Sequence, residues 1–167
     1  MFEKKFIGLI TLVSTVVLIG GVFLLSKGSD NDPSSRVTMS ENAKVTVEET
    51  SYDWGEIGLN DGKVEKIFTI KNEGTETLNL LNVVTSCMCT TAQLSLGDKS
   101  SPVFGMHQKS NYVMEVPAGE SAELRAIFDP AFHGPSGVGP INRQITVATN
   151  DSSRPELNFM LKAMVRK

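Results

Sequence analysis

From Ala43 onward, hydrophobic and polar residues alternate with a period of two, the pattern of strands that bury one face. Val45 and Val47 begin it, and Tyr52-Asp53-Trp54-Gly55 follows. Asn60-Asp61-Gly62 marks a turn. Val64, Phe68 and Ile70 share a face up to the next turn, Lys71-Asn72-Glu73-Gly74. Leu78 and Leu80 open a strand whose apolar parity slips at Val83 or Val84, which predicts a bulge before it ends near Cys87. Short strands are predicted over Thr90–Leu94 and Asn111–Val116, the second closed by Pro117-Ala118-Gly119. Ala122, Leu124, Ala126 and Phe128 alternate cleanly, as do Ile145, Val147 and Thr149. The longest run is Leu157, Phe159, Leu161, Ala163 and Val165. About seven to eight short strands at this spacing predict an all-β, antiparallel β-sandwich over residues 43–167. Each of its sheets turns one polar face to water.

The N-terminal pattern is different. Phe6 to Leu25 carries no charge over twenty residues. As a helix this run spans ~30 Å, one hydrocarbon core. It exceeds the usual apolar core of a cleaved signal peptide, and no A-x-A site follows it. The expectation is an uncleaved transmembrane signal-anchor at residues 6–25. Lys4 and Lys5 precede it, so the positive-inside rule places residues 1–5 in the cytoplasm and the body outside the membrane. Residues 26–42 are rich in Ser, Asp and Asn and read as a flexible linker with a reach of roughly 20–25 Å.

Composition narrows the function classes. The formal net charge is −3 over 167 residues, so charge favours neither nucleic acid nor an anionic membrane surface as a partner. No serine has a nucleophile-elbow context, and no carboxylate pair stands out. Gly134 to Gly139 precedes a strand rather than a helix, which argues against phosphate binding. Asn150-Asp151-Ser152 matches a glycosylation sequon but reads more simply as an Asx-type turn.

Five motifs occur in order: Tyr52-Asp53-Trp54-Gly55-Glu56-Ile57, Phe68 through Asn72-Glu73-Gly74, Ser86-Cys87-Met88-Cys89-Thr90, Val116-Pro117-Ala118-Gly119-Glu120, and Ile145 to Asp151. Together they resemble the bacterial family called domain of unknown function 1573, whose fold is similar to Hydin-type and major-sperm-protein-type Ig-like domains. The resemblance covers about Val45 to Val165. It implies an Ig-like fold, frequent secretion or anchoring, and no established activity. The chain departs from the pattern at Met88, where a glycine is usual, and in a longer stretch from Ser95 to Met114.

Cys87 and Cys89 are the only cysteines. On an extended strand both would point to one face, ~6.6 Å apart along the chain, near the upper limit for a disulfide. A bond between them needs a turn or bulge, and closing so small a loop stabilises by only roughly 1.5 kcal/mol. Three readings stand together: core and rim packing, a C-x-C disulfide, or a soft-metal pair for Cu(I) or Zn(II) with Met106 and His107 approaching from the long loop. His133, in a Gly-Pro turn, reads as a solvated loop residue. Two function classes follow. The first is a non-enzymatic extracytoplasmic module that binds a protein partner, through the stretch Ser95–Tyr112 with Phe104, Met106 and Tyr112. The second is a thiol oxidoreductase or Cu(I)-binding protein acting through Cys87 and Cys89; the first class needs no cofactor, and Cu(I) is the cofactor of the second.

Overall fold

The computed structural model describes residues 37–107 and 110–167. The predicted residues 1–5, the segment 6–25 and most of the linker lie outside this range. Among the described residues, no helix is long and apolar enough to cross a membrane.

Ten strands form two five-stranded sheets: β1 (Val45–Val47), β2 (Ser51–Gly58), β3 (Val64–Asn72), β4 (Leu78–Thr85), β5 (Thr90–Leu96), β6 (Lys99–Ser100), β7 (Val113–Val116), β8 (Ser121–Phe128), β9 (Gly139–Thr149) and β10 (Glu156–Arg166). One sheet has the order β1-β3-β8-β5-β6 and the other β2-β10-β9-β4-β7. The apolar parities predicted from the sequence are the buried ones. Phe68, Leu124, Phe159 and Leu161 are at most 1% exposed, and the Phe68 and Phe159 rings meet at 4.9 Å in the core between the sheets. The bulge in β4 lies between Leu81 and Val84, where Asn82 takes φ +50° and the buried parity passes from Leu80 to Val83.

Two features differ from the expected all-antiparallel sandwich of seven to eight strands. β2 runs parallel to β10. The chain leaves β1 in one sheet and crosses within three residues to the edge of the other, where the Met160 amide donates to the Thr50 carbonyl at 2.8 Å. Alternation fixes which face is buried, not the direction of the neighbouring strand, so this pairing is invisible in the pattern. The second difference is the stretch after Ser95, which folds back instead of standing free. Its β6 pairs with β5, and Phe104 exchanges backbone hydrogen bonds with Ala92 at 2.7 and 3.0 Å.

Polar side chains lock the end of the sandwich where the chain enters. Ser40, inside the predicted linker, bridges to Asp151, and its hydroxyl donates to Glu76 at 2.6 Å. Buried Asn72 donates from Nδ2 to the carbonyls of Glu76 and Val116, at 2.8 and 2.9 Å, and so ties β3 to β7 of the other sheet. Gly74 is required here, because a side chain would collide with the Asn42 carbonyl. Asn150 of the sequon is 4% exposed, accepts from the Asn79 amide at 2.8 Å and donates to the Thr77 carbonyl at 3.1 Å. The folded domain therefore holds this side chain away from any glycosylating enzyme.

Candidate functional site: a disulfide turn at one end of the sandwich

At the end of β4 the strand geometry stops and residues 86–89 form a turn, closed by the Thr90 amide donating to the Cys87 carbonyl at 3.1 Å. The Thr85 hydroxyl braces it, 3.0 Å from the carbonyl oxygens of both Cys87 and Thr90. Ser86 clamps the turn to β9: its amide donates to the Gln144 carbonyl, and its hydroxyl accepts from the Gln144 amide, each at 2.9 Å. The Asp129 amide donates to the Cys89 carbonyl at 2.9 Å and holds the other side. The cysteines are thus not on an extended strand. The turn brings their Cα atoms to 5.3 Å, and Cys87 and Cys89 are joined by a disulfide.

The two sulfurs differ in environment. Cys89 is 2% exposed and belongs to the smaller apolar cluster with Leu59, Phe128, Ile141 and Val165. Cys87 is half-buried at the rim, and Met88 between them is 55% exposed. Each sulfur has one basic neighbour. His133 Nε2 lies 3.4 Å from Cys87 Sγ, and Arg143 Nε donates to Cys89 Sγ at 3.1 Å. His133 sits just before the 3₁₀ turn Gly134–Gly137, its carbonyl accepting from the Ser136 hydroxyl at 2.7 Å. The ring of Phe132, itself 47% exposed, meets the imidazole edge-on at 5.0 Å.

Arg143 is the informative residue. In β9 the buried parity runs Ile141, Ile145, Val147 and Thr149, and Arg143 occupies the same inward parity. A guanidinium on an inward-facing row needs a partner, because desolvating a charge without one is costly. Among the described residues Arg143 forms no ion pair with a carboxylate; its contacts are Cys89 Sγ and, from Nη1 at 3.0 Å, the Asn142 carbonyl. A cation facing a sulfur, with no carboxylate to neutralise it, stabilises negative charge on that sulfur.

The other candidates lie apart from this centre. Phe104 is 2% exposed, packed in the core and against the Tyr112 ring at 6.3 Å, so it offers no surface for a partner. Tyr112 is half-buried by the same contact. Met106 is 40% exposed, and His107 is exposed. The group of donors around the sulfurs contains His133 and not His107. The sequence alone reads His133 as a solvated loop residue, because nothing in its spacing ties the β8–β9 loop to the cysteines. Arg143 carried a signal, its inward parity.

The model of a family described as "Protein of unknown function (DUF1573)" matches residues 45–99. That match supports the resemblance drawn from the motifs and contains the cysteine pair. No curated protein matches the chain. A protein of unknown function from Porphyromonas gingivalis W83 is similar in structure, with a TM-score of 0.58 at 22% identity, over 78% of this chain. The chain spans half the length of that protein (50%). An ASH/PapD-like domain of human CEP192 aligns with a TM-score of 0.49 at 16% identity, covering 79% of this chain and 92% of that one. The secreted serine protease VesC from Vibrio cholerae aligns at 0.45 and 11% identity, covering 78% and 24%. The first of these similarities bears on the fold alone, and the other two add nothing to it.

Proposed function

We propose that this chain is a membrane-anchored, extracytoplasmic Ig-like module of the DUF1573 family that binds a protein partner through its Cys87–Cys89 end and exchanges a disulfide with it. The observation that carries this reading is the lone guanidinium of Arg143 on the buried sulfur, 3.1 Å from Cys89 Sγ. The anchoring and the compartment rest on residues 1–42 of the sequence, as does the cytoplasmic placement of the short N-terminus.

The half-buried sulfur, Cys87, is the one an incoming thiolate reaches. Attack forms a bond between the partner's sulfur and Cys87 Sγ, breaks the Cys87–Cys89 bond, and leaves the electron pair on Cys89 as a thiolate facing Arg143. A second thiol of the partner then attacks the partner's own sulfur in the mixed disulfide. Cys87 departs as a thiolate and takes a proton, with His133 Nε2 beside it. The partner's dithiol has lost two electrons and two protons, and the cysteine pair has gained the electrons. A cation that stabilises the leaving thiolate stabilises the reduced form, which makes the pair an electron acceptor. Exposed Met88 and Phe132 flank the disulfide and supply apolar contact for the partner.

The test is covalent capture in cells. The exchange is reversible, so in the full chain carrying Cys89→Ala the Cys87 thiolate attacks the partner's disulfide, forming one S–S bond as the partner's own breaks. With no Cys89 to resolve it, the mixed-disulfide adduct should accumulate on non-reducing gels. Cys87→Ala should not, because Cys89 is buried. Absence of adducts from both variants, with the disulfide of the folded wild-type protein inert to added dithiol, would sink the proposal.

A further inference from the structure

We infer that the same turn, once reduced, is a binding site for monovalent copper, with Cys87, Cys89 and His133 as its three ligands. One donor atom from each of these residues lies within 4.8 Å of the other two. Donors bonded to one ion at about 2.0–2.3 Å sit roughly 3.5–4 Å apart in a plane, so small side-chain shifts close the set around a metal. The closest donor to nitrogen, Cys87 Sγ to His133 Nε2, is already at 3.4 Å. Thiolate and imidazole together suit a soft ion.

Charge and coordination number select the ion. Two thiolates, a neutral imidazole and Cu(I) carry a net −1, and the guanidinium of Arg143 at Cys89 brings the sum to zero. With Zn(II) in the same site the sum is +1, and among the described residues no carboxylate joins the donor group to offset it. Zn(II) also favours four ligands, and three are assembled here.

Loading takes two balanced steps. A dithiol reductant passes two electrons and two protons to the disulfide, giving two thiols and leaving the reductant as its own disulfide. Cu(I) then displaces the two thiol protons to solvent and bonds both sulfurs and the imidazole, with no change in its oxidation state. This site requires only that the disulfide can be opened. It does not require exchange with a partner, so it and the proposed function fail separately. Copper uptake without adduct formation removes the exchange reading alone.

The experiment uses the full chain in mild detergent, reduced with dithiothreitol, desalted without oxygen and titrated with Cu(I) against a competing Cu(I) chelator. One equivalent should bind, and X-ray absorption of the loaded protein should show two sulfurs and one nitrogen. His133→Ala should weaken binding by at least the roughly tenfold that even an outer-sphere change costs. His107→Ala should leave it unchanged, and either cysteine-to-serine change should abolish it. Trp54 fluorescence, from the single tryptophan, checks that each variant is folded. The spectrum of the wild-type complex decides the question even if His133→Ala does not fold. Failure of the reduced, folded protein to hold Cu(I), a copper site without nitrogen, or equal retention of Zn(II) would each overturn the inference.

Discussion

Asp151 offers the most direct test of how the chain is locked where it enters the sandwich. It is 1% exposed, and its carboxylate accepts three hydrogen bonds: from the Val45 amide at 2.9 Å, the Ser153 amide at 2.9 Å and the Ser153 hydroxyl at 2.6 Å. Replacing it by Asn keeps the shape but exchanges one acceptor oxygen for an NH2 group. Whichever way the amide turns, at least one of these donors then faces another donor. Hydrogen bonds to a charged group contribute about 1.5–3 kcal/mol each, and a buried donor left unsatisfied costs about 1–3 kcal/mol. The relief of desolvating a neutral group offsets part of this, so Asp151→Asn should cost about 2–4 kcal/mol. That is a large share of a total stability of about 5–15 kcal/mol.

The same carboxylate carries a pH dependence. Burial pushes its pKa up, but the Ser153 hydroxyl, the two backbone amides and the charge of Lys44 outweigh burial and hold it below the ordinary 3.8. A depressed folded-state pKa means that the unfolded chain binds the proton first as pH falls. The contribution of Asp151 is therefore complete above about pH 4–5 and is lost below that, as pH drops through the folded-state pKa. Urea unfolding followed by Trp54 fluorescence, at pH 7 and at steps down to pH 3, measures both effects. The stability difference between wild type and Asp151→Asn should be largest at neutral pH and shrink with acid. A difference that is small at pH 7, or constant across the range, would refute the assignment of the three hydrogen bonds to a charged acceptor.

Phe159→Ala should destabilise by about 3–5 kcal/mol in the same assay, because the ring is fully buried against Phe68, whereas exposed Lys162→Ala should stay within about 0.5 kcal/mol. Arg143→Met should make the disulfide harder to reduce. A lost charge-assisted contact of about 1.5–3 kcal/mol corresponds to about 30–60 mV toward more negative potential, readable in a dithiothreitol redox titration, and an unchanged or raised potential would contradict the role given to Arg143. The anchoring reading expects the chain to stay in the membrane pellet after carbonate washing and its body to be digested by protease added to intact spheroplasts. A soluble body beginning near Gly28 would count for a cleaved leader instead.

What the sequence made legible follows from what alternation encodes. Burial on one side of a strand forces a period of two, so the inner faces of β3, β8, β9 and β10 could be assigned residue by residue, as could the slip in β4. Alternation carries no record of strand direction or partner, which is why the parallel β2–β10 pair went unread. Phe104 misled for a related reason. It stands among polar residues with no period around it, and only the fold-back along β5 shows that its ring is core. The cysteine pair drew attention by composition, but its two basic neighbours come from the β8–β9 loop and from β9, brought to it only by the crossing of the chain. The exception is Arg143. A cation in the inward parity beside Ile141 and Ile145 announces that something on that row needs a positive charge.

The two ends of the sandwich are far apart. β9 carries Arg143, beside the disulfide turn, in its first half and ends at Thr149, two residues before Asp151, where Ser40 is attached. The six residue steps from Arg143 to Thr149 span about 20 Å of strand. Anything that holds this domain through the segment before Ser40 therefore grips it by the pole opposite Cys87. The disulfide turn faces away from the end of the sandwich where Ser40 sits. The chain's other terminus is less neutral. β10 runs back toward the disulfide pole, with Val165 beside Gly139. A label fused after Lys167 would crowd the very surface it was meant to report on, and handles for capture or imaging belong ahead of the domain.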